Sequence, residues 1–103
     1  MAEPGLDRDA HGRLAVWIHT TASRVLLRKC ADAVVEHYGA DGRDRVEGMG
    51  LVFWDFAAGP VAFTLHLDRD KGIAVLAADT SPASEAFLKS LAERLRTLRE
   101  EDG

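Results

Sequence analysis

The segment GLVFWDFAAGPVAFTLHL, residues 50–67, constrains the fold more than any other part of the chain. It predicts two β-strands, residues 49–56 and 61–67, joined by a turn that contains Gly and Pro. In the second strand, large apolar side chains alternate with small or polar ones, which is typical of a strand with one buried face. In the first strand, large apolar side chains occupy both odd and even positions. A fold built on this hairpin therefore needs cover for two apolar faces of one sheet.

Apolar stretches and turn signals predict the rest of the chain. Residues 14–19 and 73–78 predict two further strands, with a polar turn ending in Gly before the second. Helical spacing of apolar residues predicts one helix over residues 22–38, with Thr20 or Thr21 as its N-cap and Gly39 at its end. A last helix is predicted to begin at Ser81 and Pro82, which are typical N-cap and first-turn residues.

These elements follow the order β-α-β-β-β-α. Consecutive hairpins make the sheet mostly antiparallel, and two helices can cover one of its faces. The prediction is an α+β two-layer sandwich forming a single domain, residues 13–100. Residues 1–12 are predicted to be a flexible N-terminal arm, and residues 40–48 a polar loop.

The sheet face without helices, called the open face below, is the predicted functional surface. If Asp55 points to water, alternation places on this face Leu51, Phe53, Ala62, Thr64 and His66. This patch is small, apolar and nearly free of charge. Monomeric proteins rarely leave a large apolar patch exposed to solvent. We expect it to mediate a homodimer, or to contact a protein partner or a small apolar ligand. The alternative is that the arm or a bent sheet covers part of it.

The composition restricts the classes of partner. The chain has 103 residues, one cysteine and a formal net charge of -4 at pH 7. Nucleic acids and anionic membranes attract clustered positive charge, so neither is expected as a partner. The single cysteine excludes an internal disulfide, and the sequence has neither a secretory start nor a run of about 20 apolar residues. A cytoplasmic location is therefore expected.

Residues that could carry chemistry are few. Cys30 and His37 share one helix face, and with His66 they could supply three zinc ligands in a ligand- or metal-binding accessory protein. Asp55 and His66 are predicted on neighbouring strands, but the hairpin register does not pair them. We find no nucleophile–base constellation, so no catalytic residue, no cofactor and no catalytic activity are predicted.

Basic residues also cluster on the predicted helices. Arg24 and Arg28 lie close to the start of the first helix, where a helix N-terminus favours anions. Arginines are more often part of a solvated helix face, and this remains the alternative reading.

From the first helix onward, the order α-β-β-β-α resembles that of the double-stranded RNA-binding domain. That domain carries cations at the start of its last helix, where they contact RNA phosphates. The corresponding residues here, SPASE at 81–85, contain no cation. The resemblance implies a double-stranded-RNA-binding-like module as a third functional hypothesis.

A longer similarity covers residues 16–99. The segments TTASRVLLRKC and LVFWDFAAGPVAFTLHLDRDKGIAVLAAD, followed by an amphipathic helix, resemble a bacterial domain of unknown function. That domain occurs alone or fused to siderophore-interacting flavoproteins. The resemblance implies a strand, a helix, a three-strand meander and a closing helix, with no catalytic motif. The His that the family usually has near the end of the last helix is absent, because the chain reads AERL at 92–95.

Overall fold

The computed structural model describes residues 6–99, which form one antiparallel sheet of six strands and two helices. In chain order the elements are β1 (Leu6–Arg8), β2 (Leu14–His19), α1 (Arg24–Tyr38), β3 (Asp41–Gly48), β4 (Leu51–Ala58), β5 (Val61–Asp68), β6 (Gly72–Ala77) and α2 (Pro82–Leu95). The strand order across the sheet is β1-β2-β6-β5-β4-β3. The predicted α+β two-layer sandwich is confirmed.

The core lies between the two helices and one face of the sheet, called the helix side below. In β4, buried Val52, Trp54 and Phe56 alternate with half-buried neighbours, as predicted. Buried residues at helical spacing come from α1 and α2, namely Leu27, Cys30, Val34, Leu88, Leu91 and Leu95, and they join the strand residues in one cluster. One apolar face of the sheet is therefore covered by helices, which leaves the open face as the second.

Helix ends follow local hydrogen bonding. Helix α1 begins two residues later than predicted, because Ser23 and not Thr20 or Thr21 is the N-cap. The Ser23 hydroxyl accepts the backbone N–H of Leu26 at 3.1 Å. Gly39 ends the helix in the left-handed conformation, with φ 63°, as expected for a glycine at this position. In α2, Ser81 is the N-cap and its hydroxyl accepts the N–H of Ser84 at 3.2 Å.

Residues 41–48, predicted to be part of a polar loop, form strand β3. Every side chain of β3 is exposed, so the strand carries no apolar pattern that would reveal it. It is held by its backbone ladder to β4, across a two-residue turn in which Met49 has φ 52° and Gly50 has φ 79°. Two positive φ values are the geometry of a type I′ hairpin turn.

Strand β3 also changes the element order on which the resemblance to a double-stranded RNA-binding domain was based. Four strands, not three, lie between α1 and α2, and among the described residues two strands precede α1. The α-β-β-β-α order that suggested a double-stranded RNA-binding domain is therefore wrong for this chain.

Residues 6–8, predicted to be part of a flexible arm, belong to the sheet. Residues Leu6–Arg8 form β1, which pairs antiparallel with β2, while residues 1–5 of the predicted arm lie outside the described part. Arg8 Nη1 lies 2.7 Å from Glu85 Oε2 and ties β1 to α2. The hydrogen bond from Arg8 holds the pKa of the Glu85 carboxyl below its usual value.

The pairing of β2 with β6 depends on one glycine. The register shifts between Trp17 and His19, and at this point the backbone of β2 lies against Gly72. A Cβ on Gly72 would fall inside van der Waals contact of the His19 carbonyl oxygen and 2.8 Å from the carbonyl carbon of Thr20. Gly72 also has φ 112°, so this position accepts glycine alone without strain.

Candidate functional site

An aromatic row crosses the middle of the open face. The register pairs Phe53 with His66, His66 with Ala74, and Ala74 with Trp17, so these four residues lie side by side on four adjacent strands. The Phe53 and His66 rings stack with centroids 4.2 Å apart and an angle of 19° between their planes. Trp17 meets His66 edge to face at 5.9 Å. The row is thus a packed strip with His66 at its centre.

His66 is fixed in place by its own strand neighbours. Its side chain is only 8% exposed, and Nδ1 lies 3.0 Å from the backbone carbonyl oxygen of Val52. A carbonyl only accepts hydrogen bonds, so Nδ1 carries the proton and donates. Held by this bond and by two rings, His66 is part of the floor of the open face.

A second row contains the polar residues of the open face. Asp55 pairs with Thr64, which pairs with Leu76, which pairs with Ala15 of β2. The Thr64 hydroxyl donates to Asp55 Oδ1 at 2.6 Å. Asp55 is therefore satisfied by Thr64 and does not form an acid–base pair with His66, in agreement with the predicted register.

A groove of about 450 Å³ lies beside these rows and is called the open-face groove. Its floor is apolar, with Phe53, Ala62 and Leu76, while its rim carries charges of both signs. Asp9 and Arg13 form an ion pair at 2.7 Å on one side. The backbone N–H groups of Arg13 and His11, together with the Arg13 guanidinium, hold the pKa of Asp9 below its usual value. The groove therefore combines an apolar floor with a fixed anion and nearby cations.

The predicted surface residues share the open face, but they are not equivalent. Phe53, Thr64 and His66 lie in the two central rows. Ala62 is exposed near the β4–β5 turn, where it pairs with Ala57, and Leu51 pairs with Asp68 at the other end of the hairpin.

Trp17 and Val46 are among the open-face residues that the predicted set did not include. Val46 pairs with Phe53 and is 63% exposed, but it lies in the segment predicted to be a loop. Trp17 lies on the open face because β2 pairs with β6, a neighbour more than 50 residues later in the chain. The alternation within residues 14–19 puts Trp17 and Ala15 on the same side of the strand. This alternation is the sequence feature from which their shared face could have been predicted.

The three candidate metal ligands do not meet. Cys30 is fully buried in the core on the helix side, His37 is exposed at the end of α1, and His66 lies on the opposite face of the sheet. Burial raises the pKa of the Cys30 thiol to about 12, so it stays protonated at neutral pH. Within residues 6–99, no group of three or more His, Cys, Asp or Glu side chains could hold a metal ion. The candidate ligands Cys30, His37 and His66 therefore do not share a metal site in the described part of the chain.

Comparisons with known proteins give the chain no family. No protein-family model, no curated protein and no solved structure matches it. Neither described helix is long and apolar enough to cross a membrane.

Proposed function

We propose that this protein is a small binding module that forms a homodimer by packing its open face against the open face of a second copy. The observation that supports this most is the aromatic row of Trp17, His66 and Phe53, flanked by Val46, on a sheet face that no described helix covers. Phe53 and Trp17 are half-buried and Val46 is 63% exposed, so apolar surface stays accessible on this face. Contiguous accessible apolar surface often marks an interaction surface. A second copy is the occupant that the following observations favour.

The edges of the sheet are poorly suited to self-association. Edge strand β3 carries charges at most positions, and its register is irregular between Gly42 and Arg45. Edge strand β1 has 3 residues within the described range 6–99. Charged, irregular and short edge strands resist pairing with another chain. Association through the face is therefore favoured over association through an edge.

The charges of the open face suit a two-fold contact. The rim of the open-face groove carries Arg13 and Arg43 as well as Asp9 and Asp55. In a two-fold dimer each residue faces the same patch of the partner, so a surface with both signs can be complementary to itself. A partner protein whose surface carries charges of one sign only would be less complementary to this rim.

The test is the oligomeric state of the full chain, measured by native mass spectrometry and by light scattering after size-exclusion chromatography. We expect a mass of twice 11.2 kDa with no added ligand. A monomer with added mass would instead support a small apolar ligand in the open-face groove. A monomer at all accessible concentrations, with no adduct, would overturn the proposal.

A matched pair of variants locates the interface. Val46→Glu places a carboxylate on the open face, whereas Val35→Glu makes the same change at a 50% exposed position of α1. Burying part of a valine contributes about 1–2 kcal/mol, and a dimer contains two copies, so Val46→Glu should raise the dimer Kd at least about 30-fold. Val35→Glu should leave it unchanged. Equal dimer Kd values for the two variants would exclude the open face as the interface.

A further inference from the structure

A second cavity lies on the helix side of the sheet, between α1 and strand β3. It has a volume of about 590 Å³ and is called the basic pocket. Its lining residues are mostly cationic: Arg24, Val25, Arg28, Lys29, Arg45, Glu47 and Trp54. The whole chain carries a net charge of -4, so this concentration of positive charge is a local feature. Such a cleft raises the local concentration of anions.

The fold holds the basic groups around one space. Arg24 Nη1 lies 3.1 Å from Glu47 Oε1, which neutralises the carboxylate of the pocket and connects α1 to β3. The Arg45 guanidinium lies over the Trp54 ring at 4.3 Å from its centroid. The first turn of α1 has no acidic residue, so the positive end of the helix dipole is not compensated there. Among residues 6–99, neither Arg28 nor Arg45 forms an ion pair.

The tryptophan in the wall of the basic pocket adds an independent observation. Trp54 is 8% exposed, and its indole Nε1 is buried without an acceptor in the described part of the chain. A buried N–H without a partner is rare in protein structures. The Arg45 guanidinium lies over the face of this ring, so Trp54 and Arg45 together form one wall of the basic pocket.

We propose that the basic pocket binds a small anion through a phosphoryl group, as in a phosphate monoester. Guanidinium groups match phosphate oxygens in two-pronged hydrogen bonds, and the several arginines suit a dianion better than a single carboxylate. The volume lies within the range of about 300–1,000 Å³ that is typical of small-ligand sites. Arg28 and Arg45 are the expected primary contacts. Lys29 is left out of this set because its Nζ donates to the Arg99 carbonyl oxygen at 2.8 Å.

The experiment is calorimetric titration of the full chain with inorganic phosphate and with glycerol phosphate, at constant ionic strength. We expect saturable binding of at least one of the two, and tighter binding of the ester would identify the ligand as esterified. Succinate, a dianion at neutral pH, serves as a carboxylate competitor of similar charge. The absence of saturable binding of both phosphate compounds, or equally tight binding of succinate, would overturn the proposal.

Arg45→Gln and Arg69→Gln form a matched pair of variants. Arg45→Gln removes a cation that lines the basic pocket, while Arg69→Gln removes an exposed cation in the turn between β5 and β6 that lines neither this pocket nor the open-face groove. Loss of a charge-assisted contact should raise the phosphate Kd about tenfold or more in Arg45→Gln and in Arg28→Gln. Arg69→Gln should bind like the unmodified chain. A weakening of the same size in Arg69→Gln would show that only the general charge of the protein matters.

A fluorescence measurement locates the anion. In a Trp17→Phe variant, Trp54 is the single tryptophan, because the chain has two. Phosphate should change its emission with the same saturation midpoint as the calorimetric titration. Emission that stays constant while phosphate binds would place the anion elsewhere and overturn the assignment to this pocket.

Discussion

Replacing Gly72 with alanine tests the strand register on which the open face depends. A Cβ at this position would lie inside contact of the His19 carbonyl oxygen and 2.9 Å from the carbonyl carbon of the same residue. These are backbone atoms of β2, so they can move only if the strand moves. In the variant, either β2 moves away from β6 or residue 72 adopts different backbone dihedral angles.

The magnitude follows from two contributions. An L-residue at a positive φ costs about 1–2 kcal/mol, and forcing extra atoms into a packed site costs about 1–3 kcal/mol. We expect Gly72→Ala to lower the free energy of unfolding by about 2–5 kcal/mol. Gly59→Ala is the matched control, because Gly59 has φ 61° but a Cβ there would meet nothing within 4 Å. This control should lose only about 1–2 kcal/mol.

Urea unfolding followed by tryptophan fluorescence measures both variants at one protein concentration. With an m-value of about 1–3 kcal/mol/M, a loss of 3 kcal/mol, near the middle of the expected range of about 2–5, would lower the midpoint by about 1–3 M. If Gly72→Ala lost no more stability than Gly59→Ala, β2 would not approach β6 at this glycine. The position of Trp17 beside Ala74 would then be wrong, and with it the aromatic row.

Two further predictions concern single side chains. Met49 is 95% exposed with φ 52° in the β3–β4 turn, so Met49→Asn should raise the free energy of unfolding by about 0.5–1 kcal/mol, measured as a higher urea midpoint. Burial lowers the pKa of His19 from its ordinary value of 6.5, while its Nε2 lies 3.0 Å from the Leu95 carbonyl oxygen. Below pH 6.5 the unfolded chain binds a proton that the folded ring resists, so stability should fall as the pH drops below this value. His19→Gln should reduce this slope between pH 7.5 and 5.5. A slope equal to that of the unmodified chain would refute the assignment to His19.

The sequence predicted the parts of the fold in which apolar burial follows the period of the backbone. Strand β2 occupies the predicted residues, and in β4 the side chains of Val52, Trp54 and Phe56 face the core as expected. Strand β3 could not be predicted in this way, because its side chains are all exposed and backbone hydrogen bonds to β4 hold it. Period-2 alternation is a burial signal, so a fully exposed edge strand is not detected by it.

The residues of the candidate site also divide into those that local sequence spacing could place and those that it could not. Phe53, Thr64 and His66 could be placed together because a hairpin fixes their register within a few residues of the turn. Trp17 could not, because sheet order decides which distant strand lies beside β2. The basic pocket required the same kind of long-range information. Arg28 is on α1 and Arg45 on β3, and the sequence alone does not bring them together.

Strand β3 connects the two proposed sites. Its alternation sends Val46 to the open face, opposite Phe53, and sends Arg45 and Glu47 to the helix side, opposite Trp54 and Val52. In the described part of the chain β3 has one neighbour in the sheet, and its position depends on the β4 ladder and on the ion pair between Arg24 and Glu47. An anion that bound Arg45 and Arg28 would add a second connection from β3 to α1. It should thereby order the strand that presents Val46 to a second copy, so phosphate should lower the dimer Kd. Because linkage is reciprocal, dimer formation should tighten phosphate binding by the same factor. A phosphate affinity identical in the unmodified chain and in the Val46→Glu monomer would show that the two sites on β3 are independent.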